Sequence, residues 1–190
     1  MHPGSALPEQ AALDAVLRLV HAAQPACGPV TVVAVDGPSG SGKTRLSLAL
    51  GSRLDAPVLH LDDLYPGWDG LAVTPSLVTE QVLAPLASGE PAAYRRWDWV
   101  EDRWAETVSV PPTPLLVLDG CGSSVRPAGD RAAVRVWVEA ERGVRFRRGI
   151  ARDGDGYRPH WERWARQEEV LFVADRTRER ADLVIDTTTW

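Results

Sequence analysis

The sequence predicts a single α/β domain in which a five-stranded parallel sheet is covered by helices. Five short apolar runs rich in Val, Ile and Leu recur along the 190 residues, as expected of strands buried on both faces of a sheet. Helical or loop segments separate these runs, which is typical of parallel strands joined by crossovers. A glycine-rich segment follows the first run. The length suits one domain, residues 1–190, with a good-sized core.

The predicted elements can be taken in chain order. After Pro8, apolar residues at helical spacing predict an amphipathic helix over 8–23: Leu13, Val16, Leu17 and Val20. The β-branched run "VTVVAVD" at 30–36 is the first strand, and the helix after the glycine-rich segment ends near Gly51. Four more apolar runs predict strands at 56–61, 114–120, 133–140 and 181–186. The remaining helices are predicted at 74–88, 140–153 and 160–179.

The glycine-rich segment "GPSGSGKT" has the chemistry of a phosphate-binding loop. It fits the pattern GxxxxGK[ST], and Lys43 within it is the only lysine of the chain among 21 basic residues. The predicted order of strand, loop and helix directs backbone N–H groups and the positive end of the helix dipole towards an anion. We therefore expect ATP to bind through Gly37, Ser39, Gly40, Ser41, Gly42, Lys43, Thr44 and Arg45.

Composition narrows the function classes. The net charge of -5 argues against non-specific nucleic-acid binding as the main activity. Two cysteines are too few for a disulfide framework and suggest free thiols in a reducing compartment. No apolar segment reaches 18 residues, and the first ten residues lack the features of a signal peptide. We expect a cytoplasmic protein that binds neither nucleic acid nor membrane.

Carboxylates follow two of the predicted strands. Asp119 ends the run "LLVL", where a phosphate-loop protein places an acid that helps to hold Mg²⁺, together with the hydroxyl of Thr44. Asp62 and Asp63 follow the second strand, and the carboxyl ends of parallel strands border the ligand crevice. Asp62 is our candidate for the general base and for a further Mg²⁺ ligand. Asp63 is assigned to capping the turn, although the reverse assignment of the pair stays open.

The chain resembles a known family in the combination and spacing of several motifs. These are the phosphate loop, then "DDLY" at 62–65, "WDG" at 68–70 and "YRRWDWV" at 94–100. Together they are similar to the uridine kinase family and its relatives, the phosphoribulokinases and bacterial pantothenate kinases. The similarity runs more loosely from Val30 to Asp186. It implies a phosphate-loop nucleoside-triphosphate hydrolase fold, with a substrate-binding region at 62–110 that contains a hairpin.

The resemblance also implies roles for single residues. Asp62 matches the family's catalytic aspartate, and Tyr65 matches its substrate-side tyrosine. Trp68 and Asp69 match an aromatic–aspartate pair whose acid holds ribose hydroxyls. Trp97 matches an aromatic residue that contacts the base. We therefore expect the acceptor to be nucleoside-like or to carry another vicinal diol.

One position departs from the family pattern. Asp102 stands where uridine and cytidine kinases have a histidine that reads the pyrimidine, and the flanking "EDRW" differs as well. An ionised carboxylate only accepts hydrogen bonds, so a pyrimidine carbonyl facing it would lack a donor. From Asp102 in the substrate site we expect uridine to be a poor acceptor and a diol with a donor or positive group to be better.

An arginine-rich segment at 142–161 contains a predicted lid over 145–160. Arg145, Arg148 and Arg152 fall at i, i+3 and i+7 and therefore share one helix face, before "DGDGYRP" breaks the helix. The pattern resembles the mobile lid of this kinase group, whose arginines close over the transferring phosphate. Arg148 and Arg152 are the candidates for that catalytic role, against the alternative of a solvated basic face.

These observations predict an ATP- and Mg²⁺-dependent kinase that acts on a small-molecule alcohol. A GTP-hydrolysing switch is disfavoured because its guanine-binding element commonly needs a lysine, and Lys43 is committed to the phosphate loop. The alternative is a nucleotide-binding regulatory protein that binds ATP without transferring its phosphate. The expected partner is the small-molecule phosphoryl acceptor, and a homo-oligomer remains open.

Overall fold

The computed structural model describes residues 8–190 and contains one five-stranded sheet. Its strands are all parallel: β1 (Thr31–Asp36), β2 (Val58–His60), β5 (Leu115–Asp119), β6 (Val134–Glu139) and β7 (Leu183–Asp186). They lie in the order β2-β5-β1-β6-β7, so the glycine loop after β1 leaves from the centre of the sheet. The predicted parallel sheet is confirmed. Each observed strand is slightly shorter than its apolar run.

Helices cover both faces of this sheet. The chain begins with α1 (Pro8–Ala22), and α2 (Lys43–Leu54) follows the glycine loop. The segment predicted as one helix at 74–88 is α3 (Thr74–Val78), a π-helical turn (Thr79–Leu83) and α4 (Ala84–Ala87). Two long helices complete the domain, α5 (Arg142–Asp153) and α6 (Arg158–Asp175). Short 3₁₀ turns occupy Leu61–Asp63, Gly67–Asp69, Leu71–Val73 and Ala128–Arg131.

The hydrophobic core is divided by the sheet into two layers. Side chains alternate across each strand, so that Val33 and Val35 face α1 and α2, whereas Val32 and Ala34 face α3, α4 and α6. All four are fully buried. Burial on both faces explains why the strands appear in the sequence as continuous apolar runs.

A two-stranded antiparallel hairpin projects beside the sheet. It consists of β3 (Ala92–Asp98) and β4 (Arg103–Val110), with Trp97 opposite Trp104. The hairpin that the family resemblance implied is therefore present, inside the predicted substrate-binding region. Within residues 8–190, no helix combines the length and apolar character needed to span a membrane.

Candidate active site

A cavity of about 390 Å³ opens at the carboxyl edge of the sheet. Five parts of the chain form its wall: the glycine loop with the start of α2, the segment after β2, the hairpin, the segment after β5, and the α5–α6 region. Its lining includes predicted site residues from each part, namely Ser39, Lys43, Thr44, Asp62, Tyr65, Trp68, Trp97, Asp119 and Arg152. The fold thus gathers residues that are more than 100 positions apart in sequence.

The glycine loop can form only with glycine at two of its positions. Gly37 has a φ of +132°, and a Cβ atom there would lie 2.0 Å from the carbonyl oxygen of Val138. Gly40 has a φ of +76°, and its Cβ would lie 2.3 Å from the carbonyl oxygen of Arg145. Both the backbone conformation and the close packing therefore exclude a side chain. The loop then enters α2 at Lys43, which orients the helix N-terminus towards the cavity.

Lys43 is held over the loop. Its side chain is buried, and Nζ donates to the carbonyl oxygen of Pro38 at 3.1 Å and contacts Sγ of Cys121 at 3.5 Å. Burial disfavours the ammonium form, but the neighbouring acidic groups, Glu168 and Asp119 among them, outweigh that penalty and raise the pKa of Lys43 above its usual value. The only lysine is therefore positively charged at neutral pH inside the cavity wall.

Asp119 uses both of its carboxylate oxygens within the protein. Ser47 on α2 donates to Oδ1 at 3.0 Å, and Nδ1 of His60 lies 2.8 Å from Oδ2. The register of β2 and β5 brings His60 and Asp119 side by side. This hydrogen bond raises the pKa of His60, although partial burial opposes the rise. The Asp119–His60 pair was not anticipated from the sequence, because it depends on which strands are neighbours.

Asp62 and Asp63 differ in what their carboxylates contact. Asp63 accepts a hydrogen bond from the hydroxyl of Tyr94 on β3, at 3.1 Å. The Asp62 carboxylate has no hydrogen-bond partner within residues 8–190 and faces the cavity. Asp62 is exposed to solvent within the cavity, but desolvation by the surrounding protein raises its pKa, against the opposing attraction of Arg152 and Lys43. Asp62 therefore has the free oxygen atoms and the raised basicity that the role of general base needs.

Aromatic side chains form much of the remaining wall. Trp68 stacks on His160 with ring centroids 4.2 Å apart and an angle of 1° between the planes. Trp97 packs edge-on against Trp104, and its buried Nε1 has no partner among the described residues. Tyr65 is buried and donates its hydroxyl to the carbonyl oxygen of Cys121 at 2.9 Å. The ring of Tyr65 lines the cavity, while its hydroxyl supports the segment after β5.

Two residues assigned to the acceptor lie outside the cavity lining. Asp69 is exposed and forms an ion pair with Arg163 of α6. Asp102 is also exposed and occupies the tip of the hairpin with a φ of +49°. Neither position follows from the motif, because the first depends on a partner 94 residues away and the second on the hairpin turn. The acceptor-binding roles of Asp69 and Asp102 stay predictions, which their present surroundings do not support.

The arginines of α5 also separate in the structure. Arg152 lines the cavity and forms a two-point ion pair with Asp153. Arg148 instead donates to Thr187 and to the carbonyl oxygen of Trp190, so it anchors the end of the chain. A catalytic role for Arg148 is thus not supported.

Two residues predicted to bind the nucleotide, Arg45 and Ser41, contact other parts of the protein instead. Arg45 is exposed, pairs with Glu9 of α1 and lies outside the cavity lining. Ser41 is buried and contributes its carbonyl oxygen to a hydrogen bond from Thr187, while its hydroxyl has no partner within the described chain. Gly42, with a φ of +97°, provides the left-handed residue from which α2 starts. Ser41 and Gly42 therefore shape the loop, whereas Arg45 does not line the cavity.

Several cavity residues were missed by the sequence reasoning. Trp99 donates from Nε1 to the carbonyl oxygen of Asp62, at 2.9 Å, and thereby fixes the hairpin against the segment after β2. Cys121 lies beside Lys43, and Tyr157 reaches the glycine loop. Trp99 lies within the quoted family-like stretch, so its position was a usable signal. Tyr157 lies within the predicted lid, whereas nothing in the local pattern marked Cys121.

The predicted magnesium ligands fit the ion in different ways. Thr44 is exposed at the cavity, and Asp62 has free carboxylate oxygens, so both suit direct contact. Asp119 is already bonded through both oxygens and suits a supporting position. Among residues 8–190, no preassembled cluster of three His, Cys, Asp or Glu side chains is present. Mg²⁺ is commonly held by one or two carboxylates together with substrate phosphates and water.

Comparisons with known proteins bear on the fold. No protein-family model matches the sequence, and no curated protein matches it significantly. Among solved structures, a possible uridine kinase from Bacillus stearothermophilus matches with a TM-score of 0.67 and 19% identity, covering 95% of this chain and 100% of that one. A proposed fructose transport system kinase from Silicibacter sp. TM1040 has a TM-score of 0.59 and 21% identity, covering 95% and 99%. The chain therefore shares its fold with these two solved structures.

Proposed function

We propose that the protein is an ATP-dependent kinase that transfers the γ-phosphoryl group to an alcohol of a small metabolite. One observation carries the proposal: Lys43, Thr44, Asp62 and Arg152 line the same cavity, and the Asp62 carboxylate has no hydrogen-bond partner within residues 8–190. A cation, a base and a hydroxyl suited to Mg²⁺ are the groups that phosphoryl transfer requires. The kinase-like fold supports this assignment.

Each group would have a defined task. Lys43 and the loop amides would bind the phosphates, and Mg²⁺ held through Thr44 and Asp62 would neutralise part of their charge. Asp62 would accept the proton of the acceptor hydroxyl as the new bond forms. Arg152, which also lines the cavity, would stabilise negative charge on the transferring group.

The aromatic wall bears on the acceptor. Trp68, Trp97 and Trp99 line the side of the cavity next to Asp62 and offer flat apolar surfaces. An alcohol with a planar or apolar body, including a nucleoside, would bury that body against these rings. Asp69 and Asp102 lie outside the lining, so the argument for a diol and the argument against pyrimidines no longer rest on contacts in the cavity.

The test has two stages. First, calorimetry with MgATP should show binding that weakens by at least about tenfold in Lys43→Ala, since a hydrogen bond to a charged group is worth about 1.5–3 kcal/mol. Second, ADP formation should be measured with nucleosides, sugars, pantothenate-like alcohols and other polyols. Acceptor-dependent ADP formation supports the kinase. Binding of ATP with no acceptor-dependent turnover across these classes favours the regulatory alternative, and unchanged ATP affinity in Lys43→Ala contradicts both.

A further inference from the structure

Every polar group of Ser39 in the glycine loop is bonded to a side chain from the α5–α6 region. Its N–H donates to Oε1 of Glu168 at 2.6 Å, and its carbonyl oxygen accepts from Nη1 of Arg145 at 3.2 Å. Its hydroxyl accepts from the hydroxyl of Tyr157 at 3.0 Å. These three side chains, Arg145, Tyr157 and Glu168, are called the Ser39 clamp below. They come from α5, the turn after it, and α6, respectively.

The clamp is largely buried, and the negative charge of Glu168 faces the positive charge of Arg145. Glu168 is 3% exposed, and its second oxygen lies 3.7 Å from Nη1 of Arg145. The first oxygen also accepts from Sγ of Cys121 at 3.2 Å. Burial raises the pKa of Glu168, while the positive charge of Lys43 opposes that shift. A carboxylate this enclosed costs free energy unless its partners are in place, so the contacts with the glycine loop are expected to be tightly defined.

The same helix also contacts the segment after β2. Gln167, adjacent to Glu168, donates to the carbonyl oxygen of Trp68 at 2.7 Å, and His160 stacks on the Trp68 ring. One rigid helix therefore contacts both the glycine loop and the aromatic wall. Any displacement of α6 has to move or break contacts at both places.

We propose that Glu168, with Arg145 and Tyr157, is a positioning residue through which the α5–α6 region sets the shape of the phosphate loop, so that nucleotide affinity depends on the clamp. The inference rests on the proposed function, because it assumes that the loop binds MgATP. None of the three side chains needs to contact the reacting atoms. They act through Ser39, by fixing the orientation of its peptide groups at the start of the loop.

The decisive variants separate the clamp from general stability. Glu168→Ala removes the acceptor for the Ser39 N–H, and we expect the dissociation constant for a non-hydrolysable MgATP analogue to rise about tenfold or more. Tyr157→Phe deletes one hydroxyl and should raise it about two- to tenfold. Glu168→Gln retains an acceptor oxygen and should restore most of the affinity. Calorimetry well below the melting temperature of each variant measures these constants.

A matched control is available on the same two helices. Arg142 on α5 and Glu162 on α6 form an ion pair at 2.6 Å in which both side chains are 61% exposed, and neither lines the cavity. Glu162→Gln should leave nucleotide affinity unchanged. Wild-type affinity in Glu168→Ala, or an equal loss in Glu162→Gln, would overturn the clamp while leaving the kinase proposal intact. Failure of the wild-type protein to bind the analogue would instead refute the proposed function.

Discussion

At the scale of single residues, the adjacent pair Asp62 and Asp63 shows how chemistry is divided between two identical side chains. The sequence places both carboxylates after the second strand, and the family-like motif favours Asp62 as the base. Both residues line the cavity, and the structure adds a physical reason for separating them: Tyr94 donates to the Asp63 carboxylate, whereas that of Asp62 has no hydrogen-bond partner within residues 8–190. The assignment of Asp62 stays a prediction, now with a geometric basis.

Replacing Asp62 with asparagine should separate binding from turnover. Asp62→Asn keeps the side-chain shape but removes the base, so acceptor-dependent ADP formation should fall by about two to four orders of magnitude. ATP binding should persist. Steady-state kinetics beside calorimetry would measure both effects. Asp63→Asn is the matched control and should remain near normal, whereas a crippled Asp63→Asn beside an active Asp62→Asn would reverse the assignment.

Residue-level prediction from sequence was limited by tertiary partners. Lys43 could be assigned because the loop pattern itself specifies the chemistry. Asp69, Asp102 and Arg148 were assigned through motif or helical spacing, but their surroundings come from distant segments or from the backbone turn. No local pattern encodes that Arg148 will find Thr187 at the end of β7. Which distant residues each side chain contacts is the part of the site that the sequence does not determine by local pattern.

At the scale of elements, helix α5 carries arginines with separate functions. Arg145 contacts Ser39, Arg148 holds the chain beyond β7, and Arg152 lines the cavity. Helical spacing correctly indicated that they share a general face. Seven residues of helix extend about 10 Å, so this one face reaches the glycine loop, the segment after β7 and the cavity. Helical spacing alone could not indicate which of these each arginine would contact.

Two alanine substitutions on α5 should therefore have different effects. Arg152→Ala should lower turnover by about two to three orders of magnitude, as expected when one preorganised donor to the transition state is removed. Arg148→Ala should lower the melting temperature while leaving the turnover per folded molecule near that of the wild type. Thermal unfolding and ADP formation would be measured on both variants. A large turnover defect in a fully folded Arg148→Ala protein would restore its catalytic assignment.

The helical segment from Thr74 to Ala87 illustrates a limit of periodicity at this scale. Its apolar spacing predicts one helix, and the structure has two α-helical parts joined by a π-helical turn at Thr79–Leu83. Pro75 lies in the first turn of the segment, where a missing N–H costs little, whereas Pro85 lies inside it, directly after the π-helical turn. The existence of the helix was predictable, but its internal change of hydrogen bonding was not.

At the scale of the whole molecule, the architecture was largely predictable. Five apolar runs and the helices between them specify a parallel sheet with two buried faces, and the two core layers confirm this reading. Strand order is different, because the same runs could be arranged in several ways. The order determines the pairing of His60 with Asp119, and this pair consequently appears only in the folded structure.

That pair predicts a contribution to the pH dependence of global stability. Hydrogen bonding to Asp119 raises the pKa of His60, so the folded state binds this proton more tightly than the unfolded chain. The contribution is fully present below the unfolded value of about 6.5 and is lost as the pH rises through the higher folded value. Urea unfolding of the wild type and His60→Gln should therefore differ more at pH 5.5 than at pH 9. An NMR titration midpoint of His60 at or below 6.5 would contradict this.

The two cysteine sulfur atoms lie in different parts of this architecture. Cys27 is fully buried beside Leu83, whereas Cys121 lies at the cavity next to Lys43. Burial raises the pKa of both thiols, which leaves little reactive thiolate at neutral pH. A water-borne alkylating reagent must then wait until the surrounding structure opens. The alkylation rate of each cysteine therefore reports how often the structure around that cysteine opens. The two cysteines thus act as probes of local opening at two separate places in the native protein.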